Sequence, residues 1–405
     1  MPIAMNEGSP RPLSHRPPTG SRDLLPLEVV QRQWVEQCLS EIFRRWGYQQ
    51  IITPTLERLS TLTAGGLIQS EALLQLRDAE GSPLGLRPEF TASIVRATAT
   101  RMAQSPLPQR LFYHGSVFRN APQEQEFFQS GVELIGAAGW QADAEVLLVL
   151  SEALQALPLP NWTLILGDIG VTQRLLNLLS PTAHLPIRQA IAQLDYVYLE
   201  TAPLPERDRQ IGLQILNLRG QPSAVLHKLG QLSLPLPQQE RVQDLQRVCQ
   251  VLEQQGVKLV LDLSLLQSFA YYTGIVFQVS SQQEIIGMGG RYDQLFALYS
   301  PSQVDQPGIG FTLLLEKLQR QLIPSATLPQ TLPSSQRLLV ALTPDAFPPA
   351  LHLAQMWRQH QPSAIIELEL LNRSPEALEA YARQRGIPEI VWVQADGSTH
   401  TSDLS

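Results

Sequence analysis

The chain has 405 residues, 43% of them hydrophobic and 17% charged, which is enough for two or three domains with a substantial core. Thirty basic against thirty-seven acidic residues leave a formal net charge of −7, which argues against a protein built mainly to grip nucleic-acid phosphates. No apolar run approaches a membrane span, and Cys38 and Cys249 lie far apart in no metal-like spacing. A cytoplasmic protein without disulfide, metal or membrane segment is therefore expected.

In chain order, residues 1–20 are rich in Pro and Ser, lack the apolar block of a secretory signal, and read as a flexible leader. Val30, Trp34, Cys38, Ile42 and Trp46 recur at four-residue steps and predict an amphipathic helix over 28–46, ended by Gly47. An extended segment over 51–57 follows, then a short strand at 84–86, a helix over 92–102 and a strand over 111–118. A second strand over 131–135 is expected to pair antiparallel with 111–118 across the polar loop 120–126. Residues 142–154 read as a helix and 162–167 as a strand. From 171 to 256 the texture becomes Gln/Leu-rich helices broken by Pro-containing loops, a helical insertion. Strand signals return at 258–263 and 275–279. The core is placed at 21–323 and a Pro/Ser/Thr-rich linker at 324–336. Alternating strands and helices at 338–342, 350–359, 364–370, 375–384 and 389–393 suggest a small α/β module over 337–395 with a tail at 396–405.

Five runs concentrate polar chemistry. In Leu86-Arg-Pro-Glu-Phe-Thr-Ala92, Pro88 stiffens the backbone so that Glu89 and Thr91 project from a defined segment, where a carboxylate suits an ammonium group. Arg119 ends the apolar strand of Arg110-Leu-Phe-Tyr-His-Gly-Ser-Val-Phe-Arg119 and offers a planar fork to a carboxylate or phosphate. Gln129 and Glu133, four apart in a strand, face one side. The Tyr271-Tyr-Thr-Gly274 and Gly289-Gly-Arg-Tyr-Asp293 runs bring aromatic hydroxyls beside glycines that admit close approach. Taken singly, each run also fits a surface Glu, a strand-end Arg, a half-exposed strand or core tyrosines.

Taken together and in order, these runs resemble the catalytic core of histidyl-tRNA synthetases, over about Pro18 to Leu318. Thr53-Pro-Thr-Leu-Glu57 resembles the first class II motif, which in that family builds a homodimer interface. The resemblance implies an α+β fold: a class II aminoacyl-tRNA synthetase-like core, an antiparallel sheet flanked by helices, with the helical insertion and the C-terminal α/β module. It also implies a histidine pocket made of Glu89, Thr91, Gln129, Glu133, Tyr271, Tyr272 and Tyr292, with Arg119 on the ligand carboxylate.

Several positions depart from the synthetase pattern where ATP chemistry needs cations. Gln267 stands where the synthetases carry Arg, and Ala270 where they carry Asp. The loop Asn120-Ala-Pro-Gln-Glu-Gln-Glu126 lacks basic residues, and Gly310-Phe-Thr-Leu-Leu-Leu-Glu-Lys317 replaces a Gly by Leu314 and an adenine-stacking Arg by Lys317. Losing one preorganised donor to a developing charge typically costs about 3–4 kcal/mol. An amino-acid site kept beside an abandoned ATP site resembles the regulatory subunits of ATP phosphoribosyltransferase. That family implies a noncatalytic subunit without cofactor, required for the first step of histidine biosynthesis and permitting feedback by L-histidine. Its partners would be a short-form catalytic subunit in a hetero-oligomer and a second copy through the class II core, with tRNA disfavoured. A divergent histidyl-tRNA synthetase and a free-standing histidine- or RNA-binding regulator remain the alternatives.

Overall fold

The computed structural model describes residues 16–64, 68–122, 125–266 and 271–404. They fall into two compact units, divided between Pro329 and Gln330.

Unit 1 opens with α1 (Pro26–Arg45). Pro26 occupies the first turn, where its missing N–H costs nothing, and Glu28 reaches back to accept the Leu25 N–H at 2.9 Å. Arg44 and Arg45 in the last turn oppose the negative end of the helix dipole. The buried stripe is Val35, Leu39, Ile42 and Phe43, whereas Val30, Trp34, Cys38 and Trp46 are half-buried at its border. A strict four-residue step advances about 40° beyond a full turn each time, so such a row spirals off the covered face.

Next come β1 (Gln49–Gln50), β2 (Leu56–Arg58), α2 (Leu59–Leu62), β3 (Gln75–Arg77), β4 (Pro83–Leu86) and α3 (Thr91–Thr100). The long hairpin β5 (Gln109–Phe118) and β6 (Glu126–Ile135) follows, paired antiparallel from Gln109↔Ile135 to Phe118↔Glu126. Then run α4 (Gly139–Gln155), β7 (Trp162–Asp168), α5 (Ile169–Leu176), α6 (Pro181–Gln193), α7 (Tyr196–Thr201), α8 (Glu206–Asn217), β8 (Arg219–Gly220), α9 (Pro222–Gly230) and α10 (Leu236–Gln254). The unit closes with β9 (Leu259–Asp262), β10 (Ile275–Ser281), β11 (Glu284–Arg291), β12 (Gly308–Leu314) and α11 (Leu315–Leu322).

Among the described residues, one nine-stranded sheet runs β1-β5-β6-β12-β11-β10-β7-β9-β8, and β2-β4-β3 form a small separate sheet. In the large sheet β1 lies parallel to β5 and β7 parallel to β9; the other pairs are antiparallel. Alternation divides its side chains between two faces. Phe112, Val132, Leu134, Phe277 and Phe311 join the large core with α1 and α4. Leu111, Tyr113, Phe127, Ile135 and Tyr292 turn the other way, toward Phe90, Ile94 and Val95. This is the α+β, class II synthetase-like core expected from the sequence. The helices from α5 to α10 occupy the region read as an insertion.

Unit 2 contains β13 (Arg337–Ala341), α12 (Phe347–His360), β14 (Ile366–Leu368), α13 (Pro375–Arg385), β15 (Glu389–Val393) and β16 (Thr399–Asp403), in sheet order β14-β13-β15-β16. Leu338 and Ile390 pack under α13 through Leu378 and Ala382. Leu339 and Val391 pack under α12 through Ala350 and Ala354. The last residues, expected as a tail, contribute β16, antiparallel to β15 from Glu389↔Asp403 to Val393↔Thr399. Their Thr and Ser content masks a strand that is exposed on both faces. Of the expected leader, residues 1–15 lie outside the described residues. No described helix is long and apolar enough to cross a membrane.

Phe112 is fully buried with its ring centroid 5.6 Å from that of Phe43. Phe112→Ala should destabilise unit 1 by about 3–5 kcal/mol, read as a shift of its urea-unfolding transition; a change under about 1 kcal/mol would mean this junction is not a core element.

Candidate functional site

A cavity of about 1010 Å³ is lined by strands of the large sheet, the first residue of α3, and residues of α1 and α11. The alternation of β6 turns Gln129, Gly131 and Glu133 toward it. Glu133 is 1% exposed. Its Oε1 accepts a hydrogen bond from Thr91 Oγ1 at 2.7 Å, and its Oε2 accepts one from the Tyr292 hydroxyl. Gly310 sits directly across the strand pair, where a Cβ would lie 1.9 Å from Glu133 Oε2. A glycine is required there because the carboxyl occupies the space of a side chain. Gly290 serves Tyr272 in the same way, since a Cβ would stand 2.7 Å from its ring.

The Tyr271 and Tyr272 ring centroids are 4.7 Å apart, and Tyr271 meets Tyr292 edge-on at 6.0 Å. Together they make an aromatic wall with hydroxyls beside a buried carboxyl. Glu89 is also buried, and its two oxygens accept the backbone N–H groups of Thr91 and Ala92, opening α3. Gln129 is 2% exposed and lines the cavity. Arg119 lies over the Phe127 ring, 4.8 Å from its centroid, and its charge reaches Glu89.

Burial pushes the Glu133 acid up to about 8, with Glu89 adding to the rise and the Tyr292 and Thr91 hydrogen bonds opposing it. Burial also raises Glu89, against the pull of the Ala92 and Thr91 hydrogen bonds and the Arg119 charge. Burial thus favours the protonated form of Glu133 at neutral pH, and a ligand bringing cationic character or N–H donors would supply what the carboxylate lacks.

The structure brings all eight candidate residues, Glu89, Thr91, Arg119, Gln129, Glu133, Tyr271, Tyr272 and Tyr292, to the lining of this one cavity. Gln267 and Ala270 lie outside the described residues, as do Gln123 and Glu124 of the acidic loop. Sequence reading missed Tyr113, which stacks on Phe90 at 4.2 Å and lies over Gly131. The signal was present: Tyr113 shares its strand face with Leu111 and pairs with Gly131. Also missed was the segment Gly20 to Leu24, which lines the mouth and is tied down by hydrogen bonds from Gln125 N and Glu126 N to Gly20 O.

Toward the mouth, cations meet carboxylates of the same chain. Lys317 and Arg320 share Glu284 at 3.6 and 3.3 Å, Arg32 approaches Glu36 at 3.4 Å, and Arg22 pairs with Glu28. Among the described residues no group of three or more His, Cys, Asp or Glu is placed to hold a metal ion.

The model of the histidyl-tRNA synthetase family matches residues 20–318. A protein of Synechococcus sp. (strain JA-3-3Ab) named ATP phosphoribosyltransferase regulatory subunit is 62% identical over 397 residues, covering 96% of this chain and 95% of its own. One of the same name from Gloeobacter violaceus is 47% identical, covering 96% and 99%. The chain belongs to the ATP phosphoribosyltransferase regulatory subunit family. The fold of this chain is shared by two solved structures. A regulatory subunit/histidyl-tRNA synthetase from Bacillus halodurans superposes with a TM-score of 0.80 at 24% identity over 95% of this chain and 99% of that one. Histidyl-tRNA synthetase from Nostoc sp. PCC 7120 does so at 0.74 with 20% identity, over 98% and 97%.

A carboxyl whose folded pKa lies near 8, against 4.5 when solvated, supports the fold fully only below pH 4.5 and loses that support as pH rises through 8. Glu133→Gln should remove this penalty, roughly 3 kcal/mol at pH 7. The variant should unfold at higher temperature than wild type at pH 8, with the gap narrowing toward pH 5. A gap independent of pH would mean that burial does not raise the Glu133 acid in the folded protein.

Proposed function

We propose that this chain is the noncatalytic regulatory subunit of a short-form ATP phosphoribosyltransferase. In this reading it is required for the first step of histidine biosynthesis and carries feedback inhibition by L-histidine in the cavity around Glu133. The observation that carries the reading is the buried Glu133 carboxyl, bonded by Thr91 and Tyr292 and walled by Tyr271 and Tyr272. An imidazole N–H finds an acceptor there and an aromatic surface for its ring. Glu89 and Gln129 offer acceptors to the α-ammonium, and Arg119 offers donors to the α-carboxylate.

Absence of synthetase catalysis is supported by Gln267 in place of an arginine and by the mouth cations, which meet chain carboxylates instead of standing ready for phosphates. A sensor needs selective affinity that differs between two states of its complex; it does not need cations placed for a transition state. Self-association through the class II core is supported by the segment between β1 and β2. There Arg87 holds the Thr53 carbonyl at 2.8 Å and Arg96 holds Glu57 at 2.7 Å, while Ile52 stands 85% exposed. A fixed backbone presenting an apolar side chain suits a contact with a second copy.

The test is ATP phosphoribosyltransferase activity of a short-form catalytic subunit from the same source, with and without this chain and titrated with L-histidine. Activity should depend on the chain and fall with histidine. Glu133→Ala and Tyr272→Phe should each weaken the inhibition at least tenfold while leaving the activation in place. Inhibition unchanged in both variants would place the sensor elsewhere. Histidine-dependent exchange of pyrophosphate into ATP by this chain alone would instead establish a synthetase.

A further inference from the structure

Directly behind the aromatic wall, the sequence neighbours of its tyrosines turn to the opposite face of the sheet. Arg291 precedes Tyr292 and donates from Nε to Asp143 Oδ1 at 2.8 Å and from Nη1 to Asp293 Oδ1 at 3.0 Å. Thr273 follows Tyr272 and is held from three sides. Its N–H donates to the Arg291 carbonyl at 2.8 Å, its Oγ1 accepts the Asp293 N–H at 3.0 Å, and its carbonyl accepts Arg241 Nη2 at 2.6 Å. The first two ties come from the last residue of β11 and from Asp293, just after Tyr292. The third comes from α10, in the helical insertion.

Arg241 spans two acceptors with one guanidinium. Nη1 approaches Asp168 Oδ2 at 3.3 Å, and Asp168 Oδ1 caps α5 by accepting the Val171 N–H at 2.8 Å. The arginine reaches this point across Gly170, where a Cβ would lie 2.8 Å from its Nε. A cavity of about 200 Å³ remains between Asp143, Asp168, Arg241, Asp244, Arg291 and Asp293. Contact with Asp168 alone would secure α10 to α5. Reaching the Thr273 carbonyl ties the helix to the backbone that aims Tyr271 and Tyr272, and only a fork-shaped cation spans both acceptors at once.

We infer that Arg241 is a positioning residue for the aromatic wall, holding the Thr273 carbonyl from the insertion so that occupation of the cavity is felt along α10. The part concerning occupation rests on the reading of the cavity as an amino-acid site. Coupling of this kind is reciprocal: what a ligand does to α10 through Thr273, a change in α10 does to ligand affinity.

The experiment compares full-length wild type, Arg241→Met, Arg241→Lys and Asp168→Asn by amide hydrogen exchange, with and without L-histidine, and by calorimetric titration. Asp168→Asn keeps an α5 cap and leaves the Thr273 bond in place, so it reports the ion pair alone. In the free protein, exchange over residues 273–276 should rise at least tenfold in both Arg241 variants and stay within twofold of wild type in Asp168→Asn. L-Histidine should slow exchange along α10 in wild type and Asp168→Asn but not in the Arg241 variants, whose affinity should fall about tenfold. Should Arg241→Met fail to fold, Arg241→Lys carries the comparison. Exchange over 273–276 unchanged by loss of the guanidinium would overturn the inference, as would ligand protection of α10 that survives it. If wild type binds no histidine, the functional reading fails, and the free-protein exchange alone decides the role of Arg241.

Discussion

The site in unit 1 depends on one constraint: a carboxyl sealed from water, with two hydroxyl donors and a second carboxyl close by. Desolvation works against its charge, so the surroundings must be shaped around it. Gly310 leaves room for it, Thr91 and Tyr292 bond it, and the antiparallel register of β6 with β12 sets the two strands so that all of this coincides. A protein selected for stability alone would fill such a position with an apolar residue. Acids held far from their ordinary titration range by burial cluster at functional sites, and the proposed ligand role of Glu133 rests on that.

The charges nearer the mouth follow a different logic. Lys317 and Arg320 converge on Glu284, and Arg22 meets Glu28, so these positive groups are engaged within the chain. Exposed pairs of this sort add little stability, because water screens them. Their effect is on what the mouth attracts: a polyanion gains little from cations already facing carboxylates. An amino acid, zwitterionic and small, is far less affected. In the proposed reading, the entrance and the floor of the cavity would therefore select in the same direction.

How much of this was legible follows from the kind of signal each residue gives. The β5–β6 pairing was readable because two apolar strands flank a short polar loop. Gln129 and Glu133 were readable because even spacing in a strand means a shared face. The stripe of α1 was misplaced by one position, since a row of fours looks periodic while drifting round the helix. Tyr113 was passed over because its neighbours in an apolar strand made it look like core, which in part it is. Gly20 to Leu24 gave no periodic signal: what places them is a carbonyl bonded by amides more than a hundred residues away. Strand β16 was hidden because neither of its faces is buried, so no hydrophobic alternation marks it.

The end of β11 places Arg291, its partner Asp143 and the hydroxyl of Tyr292 on opposite sides of one sheet within two consecutive residues. A slip of one residue during assembly would swing the guanidinium against the Glu133 side and thrust the phenol among aspartates, leaving three charges without counterparts. A shifted register is thereby disfavoured whatever its apolar packing. The same pair of residues that furnishes an aromatic wall on one side and an ionic latch on the other thus also favours one strand alignment.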